Sequence, residues 1–242
     1  MLRQGTILNQ RYHVLEHIGD GGMGAVYRAL DMRLENIVAV KHMLLSPAPE
    51  RVAAFQREAR LLARLHHPAL PAVHDHFAEQ GDHFLVMEYI EGQDLSELLR
   101  ANGGPFEPRT VLIWADLLLD ALNYLHQQQP AVIHRDIKPH NLKLTPNGQI
   151  MLLDFGLAKG AAGPHGLEHD GRSVHGYTLQ YAPFEQIRGA GTDARSDLYA
   201  FAATLYHLLA GVPPPNAPTR MAAKLDNQPD PLPPLGIRAP NL

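Results

Sequence analysis

The sequence predicts an α+β protein built as two lobes: a small N-lobe of antiparallel strands with one helix, and a larger, mainly helical C-lobe. Three observations carry that expectation. Before about residue 91, short runs alternate apolar and polar residues, with one stretch of helical period among them. After a glycine turn at Gly92, the longer apolar patterns follow the helical period. The chain has 242 residues and 45% hydrophobic content, which suits one large domain divided into two packed lobes, about 1–91 and 92–242.

Composition narrows the function classes. A formal net charge of −4 sets up no strong field toward nucleic acid or a membrane surface, so neither is an expected partner. Without cysteine there is no disulfide framework, no thiolate nucleophile and no cysteine-based metal site. No apolar run reaches the length of a membrane span, and the first residues lack a signal-peptide core. A cytoplasmic location is expected, for the chain alone or as the cytoplasmic part of a longer protein. The chain has 15 histidines, but pairs such as His66–His67 and His74–His76 lack the spacing of a metal motif.

In chain order, residues 12–18 alternate as a half-buried strand. Gly19, Gly21 and Gly24 follow as G-x-G-x-x-G. In a dinucleotide fold the third glycine opens a helix. Here Ala25–Ala29 reads as a second strand, so the glycines cap a hairpin that can approach phosphates closely and offer them backbone N–H groups. A polar turn from Asp31 to Asn36 leads to a third strand, 37–41, which ends on Lys41. An ammonium on a buried strand needs a partner. Residues 51–66 have helical period, with Phe55, Ala59 and Leu62 on one face and Pro68 as the breaker. Glu58 lies beside that face and is the natural counter-ion of Lys41. Strands at 72–77 and 83–89 complete the first lobe.

In the second lobe, Asp94 is positioned to cap a short helix, 95–100. Residues 108–128 form an amphipathic helix whose Val111, Ala115, Leu118, Leu122 and Leu125 belong to the core. The stretch HRDIKPHN, 134–141, then places five polar side chains between two apolar runs read as strands, 131–133 and 150–153. Such a loop is costly unless the side chains are used. DFG follows at 154–156, and a Gly/His-rich segment at 159–177 has little periodicity. Residues 196–211 are a buried helix ending at Gly211, and the proline-rich tail holds one helical piece, 219–225.

Taken together and in order, the glycine turn, VAVK at 38–41, Glu58, HRDIKPHN, DFG, an APE-like box at 183–185 and DLYAFA at 197–202 resemble the eukaryotic-type protein kinase family. The flavour is that of bacterial serine/threonine kinases, and the resemblance covers nearly the whole chain. It implies transfer of the γ-phosphate of ATP to Ser or Thr hydroxyls of protein substrates, with Mg²⁺ or Mn²⁺, in signalling and autophosphorylation. By the same resemblance, Gly19, Gly21, Gly24, Val26 and Ala39 would enclose the nucleotide. Lys41, oriented by Glu58, would hold the α- and β-phosphates. Glu88 and Ile90 would offer hinge backbone to adenine, behind Met87. Asp136 would accept the hydroxyl proton, Lys138 would steady the γ-phosphate, and Asn141 and Asp154 would bind the metal.

Lys138 and the long segment from Asp154 to Glu185 favour protein over small-molecule substrates. Thr178 falls where serine/threonine kinases place the hydroxyl that meets the catalytic Asp and Lys. Arg135 matches the arginine that pairs with a phosphorylated activation segment; Ser173, beside Arg172, is the expected autophosphorylation site. Departures from the family pattern are Phe184 for the usual Ala, Ala202 for the usual Gly, and Lys143 at the adenine floor, where its alkyl stem can serve. The C-terminal end of the C-lobe is expected to be missing, which leaves Glu185 without its buried arginine. That motivates the alternative of a catalytically weak nucleotide-binding scaffold; the lesser alternative, a small-molecule phosphotransferase, comes from the H-x-D-x-x-x-x-N loop that His134, Asp136 and Asn141 also satisfy.

Overall fold

The computed structural model describes residues 1–21, 24–43, 49–154 and 179–238, with the side chains of residues 21, 49–51, 54, 58, 237 and 238 outside that description. The described chain forms two compact units, Met1–Glu91 and a second beginning at Gly92.

The first unit is an antiparallel sheet. Its strands are β1 (Ile7–Leu8), β2 (Tyr12–Gly21), β3 (Gly24–Asp31), β4 (Asn36–Met43), β5 (Val73–Glu79) and β6 (Asp82–Glu88), in the order β1-β2-β3-β4-β6-β5. Period two sorts the side chains between its faces. One face buries Tyr12, Val14, Tyr27, Ala29, Val38, Val40, Phe84 and Val86 as a single cluster. Phe77 stacks between Tyr12 and Phe84, at centroid separations of 5.6 and 5.0 Å. The β3–β4 turn is built on Asp31, whose carboxylate accepts the Arg33 backbone N–H at 2.9 Å and pairs with Arg11 at 2.6 Å. The Arg11 hydrogen bond holds the Asp31 carboxyl below its ordinary range despite burial. At the β5–β6 turn both Gln80 (φ 54) and Gly81 (φ 88) are left-handed, as a two-residue hairpin matched to strand twist requires.

Helix α1 (Pro49–Leu62) buries Phe55, Ala59 and Leu62, the face the sequence marks. It ends earlier than expected, and Pro68 is not what stops it. The Arg64 and Leu65 amides bond the Leu61 and Leu62 carbonyls, an i→i−3 tightening that closes the last turn.

The second unit opens at Gly92, whose φ is 126; a Cβ there would lie 2.1 Å from the Leu144 carbonyl oxygen. Strand β7 (Gln93–Asp94) leads into α2 (Leu95–Asn102), where the Asp94 carboxylate accepts the Glu97 amide at 2.8 Å. Helix α3 (Pro108–His126) starts with a proline in its first turn and Glu107 as its cap, and buries all five expected core residues together with Trp114 and Ala121. It packs against α5 (Ala194–Ala210), which ends on left-handed Gly211. Strands β8 (Leu142–Leu144) and β9 (Ile150–Leu152) form a small sheet with β7. Residues 131–133, read as a strand from their apolar character, are not one. They are tied to the end of α3 by the Val132 amide, 3.0 Å from the Leu125 carbonyl. Helices α4 (Phe184–Ile187), α6 (Ala217–Leu225) and α7 (Leu235–Arg238) complete the described unit; β1, β7, α4 and α7 have no counterpart in the sequence reading.

Candidate functional site

The polar loop expected to carry the chemistry is built on a buried aspartate that sequence reasoning used only as a family marker. Asp197, in the first turn of α5, is fully buried. Its Oδ2 accepts the His134 backbone N–H at 2.9 Å, and its Oδ1 accepts that of Arg135 at 2.8 Å. His126 Nε2, at the end of α3, stands 2.8 Å from Oδ2. One carboxylate therefore joins two helices to the loop. The signal for it was in the sequence: a lone acid inside the apolar run of α5 is expensive unless it is paired. Arg135 is held at a left-handed φ of 66, a conformation that costs a non-glycine residue energy. Asp197 offsets that cost from the amide side, and Gln186 Nε2 donates to the Arg135 carbonyl at 2.8 Å from the other.

His134 is fully buried beneath the loop. The Asp136 amide donates to its Nδ1 at 3.3 Å, and its Nε2 stands 3.1 Å from the Leu153 carbonyl. A backbone amide needs an acceptor and a carbonyl needs a donor, so the ring is the neutral Nε2–H tautomer. Burial pushes its pKa below the ordinary imidazole value, against the opposing pull of Asp197.

The loop's reactive end converges on one oxygen. Asp136 Oδ2 lies 3.0 Å from Lys138 Nζ and 3.0 Å from Asn141 Nδ2. Asn141 Nδ2 also donates to the Asp136 carbonyl at 2.7 Å. Both amide hydrogens of Asn141 thus serve Asp136, which leaves its Oδ1 as the atom that can meet a cation. Asp154 closes the stretch after β9 with a left-handed φ of 64. An amide oxygen and a carboxylate are hard donors suited to Mg²⁺ or Mn²⁺. Arg135, Asp136, Lys138, Tyr181, Ala182 and Gln186 line one small pocket beside this cluster.

In the first unit the sheet register gathers a second group. Val26 pairs with Lys41 and Ala39 with Met87, so these four share the face opposite the aromatic cluster. Lys41 is almost wholly buried there, with 2% of its surface exposed. Gly19 pairs with Val26, Gly21 pairs with Gly24, and Gly24 opens a strand rather than a helix. Glu88 ends β6; its N–H donates to the Ala72 carbonyl at 2.8 Å and its carboxylate accepts the Ala72 amide at 3.2 Å. Ile90, two residues on, is buried. Glu58 stands on α1, but its side chain lies outside the described residues, as do Ser173 and Thr178 entirely. The Arg135 guanidinium, expected to await a phosphate, donates from Nε to Thr192 Oγ1 at 2.8 Å. Glu185 accepts a hydrogen bond from the Ser196 hydroxyl, in the first turn of α5, at 2.7 Å.

Comparison with known proteins points the same way. The protein kinase domain model matches residues 12–230. A probable serine/threonine-protein kinase of Streptomyces coelicolor, SCO3848, is 41% identical over 213 residues, covering 86% of this chain and 31% of that protein. Serine/threonine-protein kinase PknB of Mycolicibacterium smegmatis is 38% identical, over 94% of this chain and 37% of its own length. PrkC of Bacillus subtilis is 37% identical, over 86% and 31%. The chain thus spans about a third of the length of these relatives. Among solved structures, the Mycobacterium tuberculosis PknI kinase domain superposes with a TM-score of 0.74 at 30% identity, covering all of this chain and 87% of that one.

Proposed function

The chain belongs to the protein kinase family, and from that premise we propose that it transfers the γ-phosphate of ATP to Ser and Thr hydroxyls of protein substrates. The observation that carries the reading is the convergence of Lys138 and Asn141 on a single oxygen of Asp136. Phosphoryl transfer asks little covalent work of a protein; it asks for an oriented hydroxyl and matched charge. Asp136 accepts the hydroxyl proton and aims the oxygen. Lys138, already beside that carboxylate, supplies positive charge where the transferred group passes. Asn141 Oδ1 and the Asp154 carboxylate are the groups that would hold Mg²⁺, which when bound neutralises phosphate charge. Lys41 is the group for the α- and β-phosphates. The glycine hairpin offers backbone N–H groups over them, and Val26 and Ala39 offer apolar surface to the base.

The test is transfer of labelled phosphate from ATP to a generic basic protein, with phosphoamino-acid analysis. Wild type should label Ser or Thr. Asp136→Asn should lower kcat by roughly 10²–10⁴, the worth of a positioned base, and Lys41→Ala should be comparably impaired. Bound ATP with no transfer would replace this reading by a nucleotide-binding scaffold. Transfer confined to small alcohols or amines would replace it by a small-molecule phosphotransferase. We further propose Ser173 as a site of autophosphorylation; an active enzyme with unmodified Ser173 after incubation with ATP would refute that.

A further inference from the structure

The residue before Asp136 is gripped at its amide, its carbonyl and its side chain. Asp197 accepts the Arg135 amide and Gln186 donates to the Arg135 carbonyl. Thr192 Oγ1 accepts the Arg135 Nε–H at 2.8 Å. All of these partners lie in one short stretch, 186–197, that runs from α4 into α5. The stretch is fixed where Thr192 stands. Gly189 (φ 65) and Gly191 (φ 91) turn the chain sharply before it, in backbone conformations that favour glycine. Asp193, the cap of α5, follows it at once. The Ser196 hydroxyl closes the loop: it donates to Glu185 Oε1 at 2.7 Å and accepts the Asp193 amide at 3.3 Å. The Ala190 amide adds a bond to the Glu185 carbonyl at 2.9 Å. Thr192 is therefore placed by the backbone on both sides of it, and it is half-buried. Its branched Cβ restricts χ1, so the hydroxyl gives up little freedom in meeting Arg135.

A guanidinium holds its N–H donors in a rigid planar fork, and Nε carries one of them. Holding Nε–H therefore orients the plane of the whole group through a single donor. Thr192 is an uncharged, unmodified acceptor, so this contact exists before any phosphate is added to the chain. It also bears on the chemistry. Arg135 keeps a left-handed φ of 66 directly before Asp136, so a swing of its side chain strains the backbone that aims the carboxylate. We propose that Thr192 is a positioning residue: through the Arg135 side chain it sets the loop that carries Asp136, so that basal transfer does not wait for phosphorylation of Ser173. The inference rests on the protein kinase reading.

The test compares wild type, Thr192→Val and Thr192→Ser, each freed of phosphate by a phosphatase and checked by mass spectrometry. Valine keeps the shape and removes the acceptor; serine keeps the acceptor. Initial rates of transfer to a generic basic protein are read. Thr192→Val should lower kcat about tenfold, short of the ~10²-fold that a misplacement of about 1 Å can cost, with KM for ATP unchanged. Thr192→Ser should keep the wild-type kcat. A wild-type kcat in Thr192→Val, equal impairment of both variants, or a wild type inactive until Ser173 is phosphorylated would overturn the proposal. A second readout needs no transfer: the Arg135 Nε–H resonance in proton–nitrogen correlation spectra, assigned by its loss in Arg135→Lys. It should exchange slowly with solvent in wild type and Thr192→Ser, and quickly in Thr192→Val. If the protein moved no phosphate under any condition, the kinase reading would fall. Slow exchange lost only in Thr192→Val would still support Thr192 as the residue that positions Arg135, and equal exchange in wild type and Thr192→Val would overturn it.

Discussion

Replacing Asp197 by alanine is the sharpest perturbation the structure offers. The change removes a fully buried carboxylate that accepts two backbone N–H groups and faces His126. Hydrogen bonds to a charged acceptor contribute about 1.5–3 kcal/mol each. Removing one side of a buried charged network costs about 3–5 kcal/mol, because the groups left behind keep no water to turn to. The left-handed Arg135 would also lose the contact that offsets its conformation. A loss of about 3–5 kcal/mol in a chain of 242 residues should lower Tm by roughly 6–20 °C. Asp197→Asn keeps the shape and one acceptor oxygen, so it should lose only about 1–3 kcal/mol. Both changes loosen the backbone that leads into Asp136, and kcat should drop about 10²-fold even where the protein is folded, as small misplacements of reacting groups do. Thermal unfolding followed by circular dichroism, with transfer kinetics below the lower Tm, reads both effects. An Asp197→Ala protein with wild-type Tm would show that the carboxylate does not hold the loop.

Three further outcomes are expected. Because burial lowers the His134 pKa, its contribution is fully present above the unfolded value near 6.5 and is lost as pH falls from there through the folded value. Tm should therefore drop between pH 7.5 and 5.5, and less so in His134→Gln; His140 and His207, also lowered by burial, add the same sign. An unchanged slope in His134→Gln would contradict the neutral-tautomer assignment. Gly92→Ala puts a Cβ 2.1 Å from the Leu144 carbonyl at a φ of 126, and should cost about 2–4 kcal/mol in urea unfolding; no loss would mean the turn can move away. Asp94→Ala removes the cap of α2 and should cost about 1 kcal/mol by the same measurement, against little effect for Asp94→Asn.

Much of the fold was legible because its signals are local. Period-two alternation located β2, and short apolar runs bounded by turns located β4 and β6. The five apolar positions of α3 proved to be its buried face, and Asp94 caps α2 as its residue type suggests. The misses share a physical cause. The apolar run 131–133 is as hydrophobic as a strand, but it pairs with no strand among the described residues and is carried instead by the end of α3 and by Asp197. Pairing is a tertiary property that no run of three residues encodes. The early end of α1 is likewise set by i→i−3 bonding in its last turn, not by the downstream proline that punctuates the sequence.

The site divides along the same line. The residues of HRDIKPHN were readable as a set, yet what they do to one another was not. Spacing of two and five residues does not require that Lys138 and Asn141 meet on one oxygen of Asp136; the short 3-10 turn Pro139–Asn141 brings them there. Nor could spacing say which atom of Asn141 is left to accept, which follows only from both its amide hydrogens being used. Asp197 lies more than fifty residues along the chain from the loop it organises, so no local pattern could join them. The cost of burying its charge was the one clue, and that cost is offset by fixing a strained residue next to Asp136. Asp136, the base of the proposed reaction, is placed by this distant, buried anchor and is therefore coupled to the packing of α3 and α5. Substitutions at that helix contact should therefore move activity before they unfold the chain.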